Sequence, residues 1–421
     1  VIASPVLASW DPEPDYYFHW FRDAALVMDA RRHLDDDESL SDLADFVRFT
    51  AALTALDGGV LAGDSDWRAH VAPAFVQYLR GDEELRALSG EAVWADTRVN
   101  PDGTFDITRW SRPQHDGPAL TALCLLRWLP RLPASSALSG EVGALLRRLL
   151  DFTAAHWRRP AHDIWEEDLG QHYYTLRAAA AALAAGANWI ALNEDTASAT
   201  YRRESVEILC MLDSHWLPQL QHYDSRKLAS GAHSSKMLDI SVILAAIHTQ
   251  DGTRGAHTVH DPRQQATLDA LDAAFAAAYP INHSRSAMQG TAMGRYVGDV
   301  YFSGGPWYLA TLGASEFCYR AAVGSADAAH WIARGEAYLE TVRAYTPDDG
   351  AMSEQFDPRS GVQTSARHLA WSYAAFLSCV AARRLATVLV LGDERPRARR
   401  QIDRLSRRGT KSGDVVVGSQ D

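Results

Sequence analysis

Cysteine is scarce: Cys124, Cys210, Cys318 and Cys379 are the only four in 421 residues, each inside an apolar run of helical character. None has a Cys-x-x-Cys or Cys/His spacing, so a metal centre receives no support. Buried free thiols without disulfides are expected instead, and no cofactor is implied. No uninterrupted apolar run approaches the roughly 20 residues of a membrane span. Positive charge is not in excess either. The formal net charge is −12, which argues against nucleic acid or an anionic membrane as partner and is indifferent to a neutral ligand. No signal peptide is visible and the chain starts at Val1, so cytoplasmic and secreted locations both stay open. Convincing alternating strands are scarce. The short exceptions, such as Asp299-Val300-Tyr301-Phe302, suit loop excursions.

What is present is helical periodicity. Apolar residues recur at three- and four-residue spacing over 38–55, 117–131, 138–157, 174–191, 202–215, 235–248, 263–278, 306–322, 325–345 and 366–386. Several of these, such as Ala178 to Ala187, are apolar on both halves, which predicts burial on more than one side in a layered all-α arrangement. Residues 1–388 read as one domain. Residues 389–421 are arginine-rich and read as a disordered tail.

Two acidic residues stand out against this background. Glu166 lies in Asp163-Ile164-Trp165-Glu166-Glu167-Asp168, and Glu354 in Ala351-Met352-Ser353-Glu354-Gln355-Phe356-Asp357. Large apolar neighbours desolvate a carboxyl and keep it protonated. One protonated and one ionised carboxyl are the chemical minimum for cleaving a glycosidic bond. The chain also carries thirteen Trp, several beside charged residues: Trp20 before Arg22 and Asp23, Trp110 between Arg109 and Arg112, Trp371 after Arg367. Flat aromatic faces pack on sugar C–H groups while Arg and Asp meet hydroxyls, so the repeated pattern suits a carbohydrate pocket. These residues fall in linking segments at helix ends, where barrels build their sites.

At five ordered segments the chain resembles glycoside hydrolase family 15, the glucoamylase family. The segments are Tyr16–Asp23, Trp110–Leu120, Asp163–Glu167, Gly294–Tyr296 with Pro306-Trp307, and Ser353–Tyr373. The resemblance implies an (α/α)6 barrel of two concentric helix rings, here with its first helix missing or that position filled otherwise. It implies an inverting, exo-acting enzyme, a monomer, releasing β-glucose from the non-reducing ends of soluble α-1,4-linked oligosaccharides. Glu166 would be the general acid and Glu354 the general base, roughly 6.5–9.5 Å apart to admit a water. Tyr16 would help hold that water. Arg22 and Asp23 would bind hydroxyls of the terminal glucose, and Arg295 those near the cleaved bond. Trp110 and Glu167 would line the departing sugar's site, with Trp20 against the acid, Trp371 against the terminal ring, and Trp165 also in the substrate-binding set. Trp307 is expected in the core, and Asp163 either tunes the acid or caps a helix.

The sequence also departs from the family pattern. Val297-Gly298 stands where Pro-Glu is usual, His368 replaces Asp, His19 and Phe21 replace two Thr, and His115 replaces Arg. These positions adjoin site residues and leave α-1,4 against α-1,6 preference open. An isomaltose or dextran exo-hydrolase and a trehalase are therefore alternatives. A non-catalytic regulatory module, as in the large subunits of phosphorylase kinase, is a further one.

Overall fold

The computed structural model describes residues 1–8, 13–34, 36, 38–64, 66–191, 195–250, 252 and 254–409, with 195 and 391–409 as backbone only. Eleven main helices alternate between two layers. The inner ones are α1 (Phe21–Arg31), α3 (Asp116–Trp128), α5 (Tyr173–Ile190), α7 (Ser241–His248), α9 (Tyr308–Ala322) and α11 (Ala370–Gly409). Between them run the outer helices α2 (Ser39–Ala52), α4 (Ala137–His156), α6 (Asp195–Asp213), α8 (Pro262–Ala278) and α10 (Ala328–Tyr345).

The two layers differ as their sequences require. Inner helices are apolar almost all round: Asp116–Leu125 of α3, Tyr173–Leu183 of α5 and Tyr308–Tyr319 of α9 are continuously buried. Outer helices bury one stripe, as α4 does with Val142, Leu145, Leu146, Leu149 and Leu150. The outer helices also show local start signals. The Ser136 side chain accepts the Ser139 N–H ahead of α4, and Asp261 accepts the Arg263 N–H ahead of α8, whose first residue is Pro262.

Each inner helix packs on the next, and α11 returns to α1, so the ring closes into an (α/α)6 barrel. Among the described residues no helix stands outside the α11–α1 junction. At its upper end residues 3–4 knit the ring shut: Ala3 N–H donates to Phe18 O, Ala370 N–H donates to Ala3 O, and Ser4 Oγ donates to Arg367 O at 2.7 Å. Gly117 lets α1 and α3 approach closely, because a Cβ there would sit 2.8 Å from Cβ of Phe21. That approach sets Arg22 beside Asp116.

Some expectations need correction. Helix α6 starts earlier than 202, and α7 starts at Ser241 instead of 235 because Asp239 accepts the Ser241 N–H and turns the preceding segment inward. Cys210 is exposed on the outer face of α6, whereas the other three cysteines are buried. Residues 299–302 form no strand. The stretch Ala370–Val390 is long and apolar enough to cross a membrane by length and composition. It is nonetheless the sixth inner helix, with Trp371, Cys379, Ala382 and Ala386 buried against the ring. The backbone of α11 continues through 388 to Gly409, and 410–421 of the expected tail lie outside the described residues.

Candidate active site

Glu166 sits at the tip of a hairpin between strands Ala161–His162 and Leu169–His172. Asp163 organises that tip: its carboxylate accepts the N–H groups of Trp165 at 2.8 Å, Glu167 at 3.2 Å and Asp168 at 2.6 Å. It is a turn-builder, not a helix cap. Burial opposes its charge, but Arg226 and these donors hold the Asp163 carboxyl below its ordinary value. Glu166 itself has φ +66°, a left-handed conformation unusual for a side chain of this size, and strain of this kind concentrates at functional sites.

Three donors converge on the Glu166 carboxylate. Trp20 Nε1 donates to Oε1 at 2.8 Å, Arg22 donates to the same oxygen at 3.1 Å, and Trp110 Nε1 donates to Oε2. Arg22 is anchored from behind by Gln114 at 3.1 Å and Asp116 at 3.4 Å, and lies 3.5 Å from Asp23. Burial pushes the Asp23 carboxyl up to about 6 against the pull of Arg22, and Glu166 and Asp116 add to the rise.

Glu354 leads into the short ladder of Gln355–Phe356 with Gln363–Thr364. Its N–H donates to Ala366 O at 2.8 Å, and its carboxyl accepts the hydroxyl of Ser365, which has φ +66°. Burial pushes this carboxyl up to about 8, opposed by Ser365, Arg295 and Tyr16 and reinforced by Asp23. Desolvation therefore raises Glu354 as the sequence suggested. Around Glu166 the aromatic neighbours act differently, as N–H donors.

A cavity of about 510 Å³ collects every expected site residue. Tyr16, Trp20, Arg22, Asp23, Trp110, Trp165, Glu166, Glu167, Arg295, Glu354 and Trp371 all line it. Arg295 is held bidentately by Asp299, at 2.7 and 2.5 Å, and lies 3.2 Å from Glu167. Glu167 also accepts from Tyr296 at 2.6 Å and from Lys236 at 2.8 Å. Trp165 turns its N–H away to Asp239 at 2.9 Å and offers its ring face, stacked 6.2 Å from Trp371.

Trp307 and Tyr301 are among the lining residues that sequence reasoning missed. Trp307, expected in the core, is buried but faces the cavity, 5.3 Å from Trp165. Tyr301 meets the Tyr16 hydroxyl at 2.6 Å. The usable signal for both was proximity in sequence to the Gly294–Tyr296 segment. Conversely, His19, Phe21, His115 and His368 do not line the cavity. His19 packs on Phe49 and Phe21, and His368 meets the Tyr373 hydroxyl at 2.9 Å outside it. These four departures leave the pocket wall unaltered. Four buried polar atoms of lining residues have no hydrogen-bond partner among the described residues: Arg22 Nε, Asp23 Oδ2, Trp307 Nε1 and Trp371 Nε1. Buried polar groups of this kind call for a polar ligand. No group of three or more His, Cys, Asp or Glu among the described residues could hold a metal ion.

The sequence profile of the Glycosyl hydrolases family 15 matches residues 94–334 and 329–381. The chain belongs to this family. Curated relatives include the glucoamylase of Neurospora crassa, 28% identical with 91% of this chain and 63% of the relative aligned. Another is Glucoamylase-1 of Arthroderma benhamiae, 30% identical, with 91% and 64% aligned. The chain thus spans just under two thirds of the length of these curated relatives. Among solved structures, the family 15 glucoamylase from Hypocrea jecorina superposes with a TM-score of 0.75 at 26% identity, covering 92% of this chain and 67% of that one. The Saccharomycopsis fibuligera glucoamylase shares the fold, with a TM-score of 0.74 at 22% identity, covering 92% and 89%. The matched residues of this family 15 chain include Trp110, Glu166, Glu167, Arg295, Glu354 and Trp371 of the cavity wall.

Proposed function

We propose that this chain is an inverting, exo-acting α-glucoside hydrolase. It acts as a monomer, without a cofactor, on the non-reducing ends of soluble α-1,4-linked maltooligosaccharides. The observation that carries the reading is the meeting of Glu166 and Glu354 in one cavity whose unpartnered polar atoms await a hydroxylated ligand. Glu166 protonates the departing oxygen. Glu354 takes a proton from a water held near the Tyr16 and Tyr301 hydroxyls, on the opposite face of the sugar. Asp23 Oδ2 accepts from hydroxyls of the terminal ring, and Trp371 and Trp165 supply its apolar walls. Both carboxyls, Arg22 and Asp23 in a formed cavity speak against a non-catalytic module.

The test is the anomer released. With maltose, maltotriose, isomaltose and trehalose in parallel, proton NMR is expected to show β-glucose first, fastest from maltotriose. Early α-glucose would overturn inversion, and a faster reaction with isomaltose or trehalose would reassign the substrate.

The state of the base gives a second expectation. A general base must be ionised to take the proton of the attacking water. Burial makes the Glu354 carboxyl hold its proton until about pH 8. The working fraction of the base therefore grows by up to about tenfold per pH unit below that value, and kcat/KM is expected to rise with pH towards about 8. A kcat/KM already level below about pH 6 would contradict this.

A further inference from the structure

Arg98 lies outside the cavity lining and outside every motif, yet it sits directly behind the two indoles that hold Glu166. Strand β1 (His19–Trp20) pairs antiparallel with β2 (Arg98–Val99), and Trp20 and Arg98 are register partners. Directly opposed residues put their side chains on the same face of a ladder. The Arg98 guanidinium carbon stands 3.6 Å from the ring centroid of Trp110, 4.0 Å from that of Phe18 and 4.8 Å from that of Trp20. One edge of the guanidinium is fixed by Asp106 at 2.8 Å and Thr108 at 3.2 Å. The residue is 2% exposed, and its NH1 has no hydrogen-bond partner among the described residues. Burying an incompletely satisfied cation costs stability, so its contribution has to be sought elsewhere.

We propose that Arg98 is a positioning residue for Glu166, acting through Trp20 and Trp110. The cation packs against both indoles, whose planes stand 76° apart, and thereby aims their N–H groups at Oε1 and Oε2 of the carboxylate. This rests on the reading of Glu166 as the acid. A lysine keeps the charge, but a compact ammonium cannot fill the space between three rings while also bonding Asp106 and Thr108 as the guanidinium does.

The test uses Arg98→Lys and Arg98→Met, with kinetics on maltose and on α-glucosyl fluoride, whose leaving group needs no protonation. Both variants are expected to lose roughly 10- to 100-fold in kcat on maltose, the size of effect a misplaced catalytic group produces. KM and the rate on the fluoride are expected to stay within about threefold of wild type, as fits loss of an interaction used only when the acid acts. A merely structural role would instead lower both substrates together with the melting temperature, and that result, like unchanged maltose kinetics, would overturn the proposal. Should Arg98→Met not fold, Arg98→Lys carries the test alone. Wild-type protein inactive on both substrates would sink the hydrolase reading. A variant crystal structure then decides the positioning claim. Indole N–H groups turned off Glu166 would support it, and an unaltered Trp20–Glu166–Trp110 arrangement would overturn it.

Discussion

Replacing Glu354 by Gln is expected to abolish turnover of maltooligosaccharides while raising the melting temperature. A neutral amide cannot take the proton of the attacking water, and removing a general base costs on the order of 10³-fold in kcat. The amide oxygen can still accept the Ser365 hydroxyl, so the fold has no reason to suffer. The stability effect follows from linkage. The folded chain holds the Glu354 proton up to about 8, well above the ordinary glutamate value. The stability associated with that proton is fully present at acid pH, below the unfolded value. It is lost as pH rises from the ordinary glutamate range to about 8. Glu354→Gln has no such loss. Its melting temperature should match wild type near pH 4 and exceed it by several degrees at pH 8. Calorimetry across that range, paired with glucose release, checks both halves. Retained activity would remove Glu354 from the role of base.

Glu166→Gln should be equally inert on maltose, down on the order of 10³-fold in kcat, but should hydrolyse α-glucosyl fluoride at a rate within about tenfold of wild type. The contrast isolates the protonation step, because fluoride departs without a proton. The donor set predicts a side effect. Trp20 and Arg22 both need an acceptor at Oε1, so the amide oxygen of the introduced glutamine takes that place and its NH2 group faces the Trp110 N–H. Two donors cannot satisfy one another. Glu166→Ala avoids that conflict and should show the same substrate contrast. If fluoride hydrolysis falls as far as maltose hydrolysis in both variants, Glu166 is not the acid.

The residues legible in the sequence were those whose signal lies in short segments. A Trp-Glu-Glu string alone is ordinary helix-face material. Trp165-Glu166-Glu167 and Ser353-Glu354-Gln355 stand out through the tryptophans beside Arg and Asp in the other linking segments, and through the motifs they belong to. The helices were legible through periodicity over a dozen or more residues. Their closure into a ring was legible only through the family resemblance and not from periodicity, because it depends on the contact of α11 with α1, far apart in the chain. Arg98 was hidden likewise: nothing in Thr97-Arg98-Val99 is distinctive until β2 pairs with β1 and sets Arg98 opposite Trp20. Trp307 was misread because a tryptophan at a helix start is ordinary core material, and only the unpartnered Nε1 in the cavity wall distinguishes it. Asp163 shows the reverse case. A capping-like residue was recognised, but what it caps is the turn bearing Glu166.

The seam formed by Ala3, Ser4, Arg367 and Ala370 sets the order in which this protein can come into being. Ala3 also lines the cavity, and Trp371 follows the seam directly. A nascent chain can dock its early helices as they emerge, but the wall between Ala3 and Trp371 waits for residue 371 to clear the ribosome. At ordinary elongation rates of about 5–20 residues per second, that is roughly 20–75 seconds after synthesis of Ala3. Shorter ribosome-bound intermediates therefore carry helices without the finished cavity, whose last wall is added late in biogenesis.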